Sequence, residues 1–128
     1  MLALQTVILE HQTAQGIHHD WLIEDPSLSD PQAAAARLWT ARIAPPPHLW
    51  PTLRRFELTV IPPHRRHYLT YQGPVSNHRG HVKRVLQGRC LTKQWTRQCI
   101  LLTLQSEAIT INLRLDHQAN HHWIATQP

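Results

Sequence analysis

ITINLRL, residues 109–115, decides the class of fold: Ile109, Ile111, Leu113 and Leu115 fall on one side of an extended chain, and Thr110, Asn112 and Arg114 on the other. A period of two sustained over seven residues belongs to a strand with one face in a core and the other in water. Working outward, further short runs rich in β-branched and aromatic residues recur: TVILE (6–10), HHDWLIE (18–24), RLWTARI (37–43), FELTVI (56–61), HYLTYQ (67–72), HVKRVLQ (81–87), CILLTLQ (99–105) and HHWIAT (121–126). QSEA between the 99–105 and 109–115 runs is short enough for a hairpin turn, and QGPVSNHRG supplies Gly and Asn for a longer one. Only DPQAAAAR (30–37) reads as helix, with Asp30 at the N-cap and Pro31 in the first turn. APPPHLWP (44–51) cannot lie inside a sheet, because prolines lack the ladder donor, and is expected as an ordered surface loop. The chain therefore reads as all-β, a small closed β-barrel or strongly curved sandwich with one short helix.

At 128 residues this is a single domain, 1–128, long enough to bury its apolar surface without disulfides or a structural metal. A bound metal would then serve chemistry rather than folding. Cys90 and Cys99 form no CxxC pair and are expected reduced and buried, which points to a cytoplasmic protein. MLALQTVILEH has no basic leader region, and no run approaches the length of a membrane span. Charge is uneven along the chain: ten of the thirteen Lys and Arg fall between Arg54 and Arg97, where Glu57 is the only acid. A block of this kind, dominated by arginine, either attracts a polyanion through forked phosphate contacts or keeps a solvated surface soluble.

HQTAQGIHHDW (11–21) holds the densest cluster of ligating side chains. On a strand, His18, Asp20 and Leu22 share one face while His19, Trp21 and Ile23 share the other. His18 and Asp20, with His11 from the preceding strand end, would offer two imidazoles and a carboxylate to one divalent ion and leave positions open. In a chain with eleven histidines, spacing alone also admits a second reading, in which His11 caps a strand, Asp20 accepts turn hydrogen bonds and His19 packs on Trp21.

A resemblance weighs between them. EHQTAQGIHHDWLIE, LWTARIAPPP and PPHRRHYLTYQGPV are similar, in that order, to the signature blocks of the 3′-phosphoesterase domain of bacterial DNA ligase D, which run as KH, LHYDFRLE, SWAVPKGP and EDHPLEYxDFEG. The match spans about the first two thirds of the chain, and its most telling part is the four-residue step from His64 to Tyr68 continuing into YLTYQG. The resemblance implies a closed β-barrel, a Mn²⁺ (or Zn²⁺) ion held by His11, His18 and Asp20, and His64 and Tyr68 as catalytic contacts to a scissile phosphate. It implies removal of a terminal ribonucleoside or a 3′-phosphate from the 3′ end of a primer-template, with a ligase or polymerase as partner. Leu22 stands where that family has an arginine, Pro62 and Pro63 replace its acidic pair, and Arg42 is only a loose substitute for its loop lysine. Arg65, Arg66 and Arg79 are the candidates for the missing phosphate-binding cation. Leu22 also admits a catalytically silent relative that binds nucleic acid or a repair partner. Of the tryptophans, most are expected to pack in the core.

Overall fold

Side chains that alternate between water and an apolar interior need a sheet curved enough to enclose that interior, and this chain closes one. The computed structural model describes residues 2–128, which form nine strands. These are β1 (Leu2–Thr13), β2 (Gly16–Glu24), β3 (Leu38–Ile43), β4 (Arg55–His64), β5 (Gly73–Pro74), β6 (His81–Trp95), β7 (Cys99–Ser106), β8 (Thr110–Ala119) and β9 (His122–Thr126). The sheet runs β1-β2-β3-β4-β9-β8-β7-β6, and β1 also pairs with β6, so eight antiparallel strands close into a barrel while β5 adds to β6. The 109–115 stretch behaves as its alternation demands: Ile111, Leu113 and Leu115 are buried, and Thr110, Asn112 and Arg114 are exposed.

The interior is filled from every barrel strand, with Ile8, Trp21, Ile23, Ile43, Leu58, Leu104 and Leu113 among its fully or nearly buried residues. Trp21 is inaccessible, and its indole N–H donates to Thr6 Oγ1 at 2.9 Å, so its one polar atom is satisfied. Trp21, Trp50 and Trp123 are buried, while Trp39 and Trp95 pack half-buried against the same core. A second apolar cluster lies on the outer face of β1–β3, where Val7, Leu9, Leu22 and Leu38 meet Leu69 and Val82. That cluster seals one end of the outer face; the histidines and Asp20 occupy the other.

Three local expectations change. Residues 30–37 form isolated turns rather than a helix: Asp30 Oδ1 accepts from Gln32 N at 3.1 Å, and Asp30 O from Ala33 N at 3.2 Å. Four alanines give a short helix almost no apolar face to bury, and the aspartate side chain competes for the backbone donors. HYLTYQ is not a strand; Arg66–Leu69 form a 3₁₀ helix that drops Leu69 onto the second cluster. The proline-rich loop is a 3₁₀ helix as well, Pro47–Thr52, and it is not superficial, because Trp50 is fully buried and stacked on Phe56 at 4.7 Å. The described residues contain no α-helix. Cys90 is buried, which pushes its thiol up to about 12, whereas Cys99 is only half-buried; both are free thiols. No helix among the described residues is long and apolar enough to cross a membrane.

The loop that returns to β6 is tied down at Gly80, whose φ is +90° and whose missing Cβ would collide with Gln12 O. Gly80→Ala combines a left-handed backbone with a backbone clash and is expected to cost about 2 kcal/mol or more, read as a lower urea midpoint at unchanged slope.

Candidate metal and phosphate site

The hairpin register places the first three residues. His11 of β1 lies directly opposite His18 of β2, and Asp20 follows two residues on along the same outward face. His11 Nδ1 is 3.1 Å from His18 Nε2, and His18 Nε2 is 3.4 Å from Asp20 Oδ2. The three ligand atoms all lie within 4.8 Å of one another.

His64 arrives by a different device. Phe56, Leu58 and Val60 of β4 point into the barrel, so strict alternation would send His64 inward too. Between the pairs Thr40–Ile61 and Leu38–His64, however, β3 advances two residues and β4 three. This is a β-bulge, set at Pro62 and Pro63, which have no ladder donors to lose. The extra residue turns His64 to the outer face, where its Nε2 stands 4.0 Å from Asp20 Oδ2 and its ring meets Tyr68 edge-on at 5.8 Å.

Hydrogen bonds fix which nitrogens carry lone pairs. His11 Nε2 is 2.6 Å from the Arg79 carbonyl, which can only accept, so His11 Nε2 is the donor and Nδ1 keeps its lone pair when the ring is neutral. His64 Nδ1 donates to Pro62 O at 3.1 Å in the same way, leaving Nε2 free. His18 Nε2 is 3.1 Å from Arg42 Nη2, a group that can only donate, so this nitrogen accepts. Burial of His18 lowers its pKa, with the charges of Arg42 and His11 adding to the effect and Asp20 opposing it; the ring is held neutral.

Three ligand atoms thus converge, one of them, His18 Nε2, accepting from Arg42 Nη2, a contact that a bound cation would displace. Asp20 is 3% exposed, yet its contacts to His18, Arg42 and His64 are all long, at 3.4, 3.5 and 4.0 Å. A divalent ion about 2.1 Å from each ligand separates its ligands by about 3.0 Å at right angles and about 3.4 Å tetrahedrally, which brackets the His11–His18 and His18–Asp20 spacings of 3.1 and 3.4 Å. The carbonyl bond from His11 also has the form of an orienting contact behind a metal-bound imidazole. By chemistry and by spacing, the trio fits a divalent cation.

No family model matches the chain, and no curated protein matches it either.

His11 and Asp20 of the trio, but not His18, open onto a cleft of about 490 Å³, lined also by Arg37, His64, Arg65, Tyr68, Ser76 and Arg79, with Leu9, Val82, Pro62, Pro63 and Val75 on its walls. Apart from Asp20 its charged lining is all arginine. Of the three arginines singled out from the sequence, Arg65 and Arg79 line it, although the Arg79 guanidinium is folded back onto Ser76 O and Oγ at 2.8 and 3.0 Å. Arg66 does not line it. Its Nη1 lies 2.8 Å from Glu24 Oε2, a contact of charge rather than an aligned hydrogen bond, and donates to Pro31 O at 3.0 Å. Glu24 is fully buried, so Arg66 mainly offsets a carboxylate beneath the 3₁₀ helix.

Arg37 lines the cleft, and Arg42 lies outside its lining but against His18 and Asp20; the sequence marks neither as a phosphate ligand. Leu38, Thr40 and Arg42 share the outward face of β3, and the β2–β3 register sets Arg42 opposite Asp20. The signal was present in the alternation of LWTARI, but the register that brings it to Asp20 is a tertiary fact. Leu22 is fully buried in the cluster with Leu9, Leu38, Leu69 and Val82; Leu9 and Val82 also line the cleft, so the cluster borders it, but Leu22 itself does not line it.

Proposed function

We propose that this protein is a divalent-metal-dependent phosphoesterase acting on the 3′ ends of nucleic acids, removing a terminal ribonucleoside to leave a 3′-phosphate and removing a 3′-phosphate to leave a hydroxyl. One observation carries the reading: three ligand atoms gathered on the outward face of a hairpin, two of their residues lining one cleft with a histidine, a tyrosine and several arginines. His11, His18 and Asp20 would hold Mn²⁺, with Zn²⁺ as the alternative the same donors accept, and the ion supplies Lewis acidity toward a phosphoryl oxygen and acidifies water.

The protein's own groups have distinct tasks. His64 Nε2, with Nδ1 engaged by Pro62 O, gives or takes the proton at the ester oxygen. The Tyr68 hydroxyl donates to a phosphate oxygen, and Arg42, Arg65 and Arg37 offset its charge. Arg42, on the strand beside Asp20, supplies the guanidinium that Leu22 does not, which weighs against the silent-relative reading. The loop bonded to His11 through Arg79 O walls one side of the cleft, which favours a chain end over a continuous strand.

A labelled primer-template ending in either a 3′-phosphate or a single ribonucleotide tests the proposal. The native protein is expected to trim both with Mn²⁺ and neither in chelator. Failure to trim either end with Mn²⁺ or Zn²⁺ would remove the phosphoesterase reading.

A further inference from the structure

Beside the cleft, the 3₁₀ helix Arg66–Leu69 and the residues after it carry an aromatic group with no role so far. His67 and Tyr71 lie face to face, ring centroids 4.9 Å apart and 17° from parallel. Tyr68 stands across both, 4.4 Å from His67 and 5.9 Å from Tyr71, at interplanar angles of 73° and 83°. These three separations set Tyr68 nearly at a right angle to the stacking axis, beside the pair rather than on top of it. Tyr68 therefore leaves the outer face of His67 uncovered, and His67 is an exposed residue.

The group is joined to the candidate phosphate site. Tyr68 lines the cleft and meets His64, while Arg65, also in the cleft wall, reaches His67 Nε2 with its Nη2 at 3.3 Å and lies 5.9 Å over the Tyr68 ring. Desolvation, with the Arg65 charge adding to it, lowers the His67 pKa, so the ring is a neutral aromatic plane at neutral pH. His64 and His67 each meet the one Tyr68 ring, at 5.8 and 4.4 Å, so the cleft and the His67 plane are joined through a single side chain. Base stacking on such a plane is tolerant of sequence, because every base has a π-face.

We infer that the exposed face of His67, backed by Tyr71, is a nucleobase-stacking subsite for the nucleotide whose phosphate lies in the cleft, an inference that rests on the phosphoesterase reading above. A base laid there extends the His67–Tyr71 stack by one ring, with Arg65 at the junction of base and phosphate.

The test is a single-stranded oligonucleotide with a 3′-phosphate and 2-aminopurine as its last base, mixed with the full chain and Mn²⁺. Fluorescence is followed by stopped flow in the first second, before turnover. The native protein should quench the base. His67→Ala should lose the quench and bind about fivefold or more weakly, and His67→Phe should retain both. Removing the last base should cost the native protein the same factor, and the two losses should not multiply. Equal quenching and affinity in native protein and His67→Ala, or no quenching by native protein, would overturn the subsite. Hydrolysis read at longer times decides the other question separately: a quenched but uncut oligonucleotide strikes the phosphoesterase reading and leaves the subsite standing.

Discussion

Asp20→Ala is expected to lower Mn²⁺ affinity by about 10²-fold or more and to abolish metal-dependent trimming, because the variant keeps the two imidazoles and loses the only carboxylate ligand. The carboxylate is 3% exposed, so its charge acts on an ion with little screening by water. Stability separates this role from a structural one. If Asp20 were a structural acceptor, removing it would strand the donors of Arg42 and cost about 1–3 kcal/mol. Its contacts are instead long, 3.4 Å to His18 and 3.5 Å to Arg42, and Arg42 is exposed enough to turn to water. In chelator the variant should therefore melt at or above the native temperature, as expected when a residue is kept for its ligand rather than for the fold. Calorimetric titration with Mn²⁺ and melting in chelator read the two halves independently. Native-like metal affinity in the variant would remove Asp20 from the site.

The fold was legible where one physical signal sufficed. Alternation fixed 109–115, and the same logic placed His18, Asp20 and Leu22 on one face of β2 and Trp21 and Ile23 on the other, as the two apolar clusters bear out. It failed where two signals competed. DPQAAAAR has helical propensity and a cap but no apolar stripe, and tertiary contacts left it as turns. HYLTYQ has strand-like residues, yet Leu69 must reach a cluster outside the barrel, and a 3₁₀ helix takes it there. At the site, the His11–His18–Asp20 group was readable because all three sit on one hairpin, where register follows from the turn. The position of His64 followed only from the resemblance, since alternation along β4 points the wrong way until the bulge at Pro62 and Pro63 is known. Arg42 was readable only as a loose substitute for a loop lysine and not as the neighbour of Asp20, because its partner strand is joined to β3 by a long connection that sets no register.

Arg42→Ala should lower the rate of trimming by about 10²-fold, the usual cost of losing one preorganised donor to a phosphoryl or acyl oxyanion, without weakening metal binding. Its Nη2 is 3.1 Å from His18 Nε2 and its Nε 3.5 Å from Asp20 Oδ1, so its positive charge opposes a cation among those atoms. Half of the Arg42 side chain is open to solvent, which screens that repulsion, and Mn²⁺ affinity should rise only a few-fold in the variant. Rate and affinity then move in opposite directions, a pattern that damage to the site does not produce. The companion experiment is Leu22→Arg in the Arg42→Ala background. Position 22 is fully buried among Leu9, Leu38, Leu69 and Val82, and the longer, charged side chain must leave water and displace that packing, so the double variant should lose about 3 kcal/mol or more of stability and recover no activity. Recovery of trimming by the double variant would mean that a guanidinium from position 22 reaches the cleft past Leu9 and Val82, and that the phosphate lies nearer β2 than Arg42.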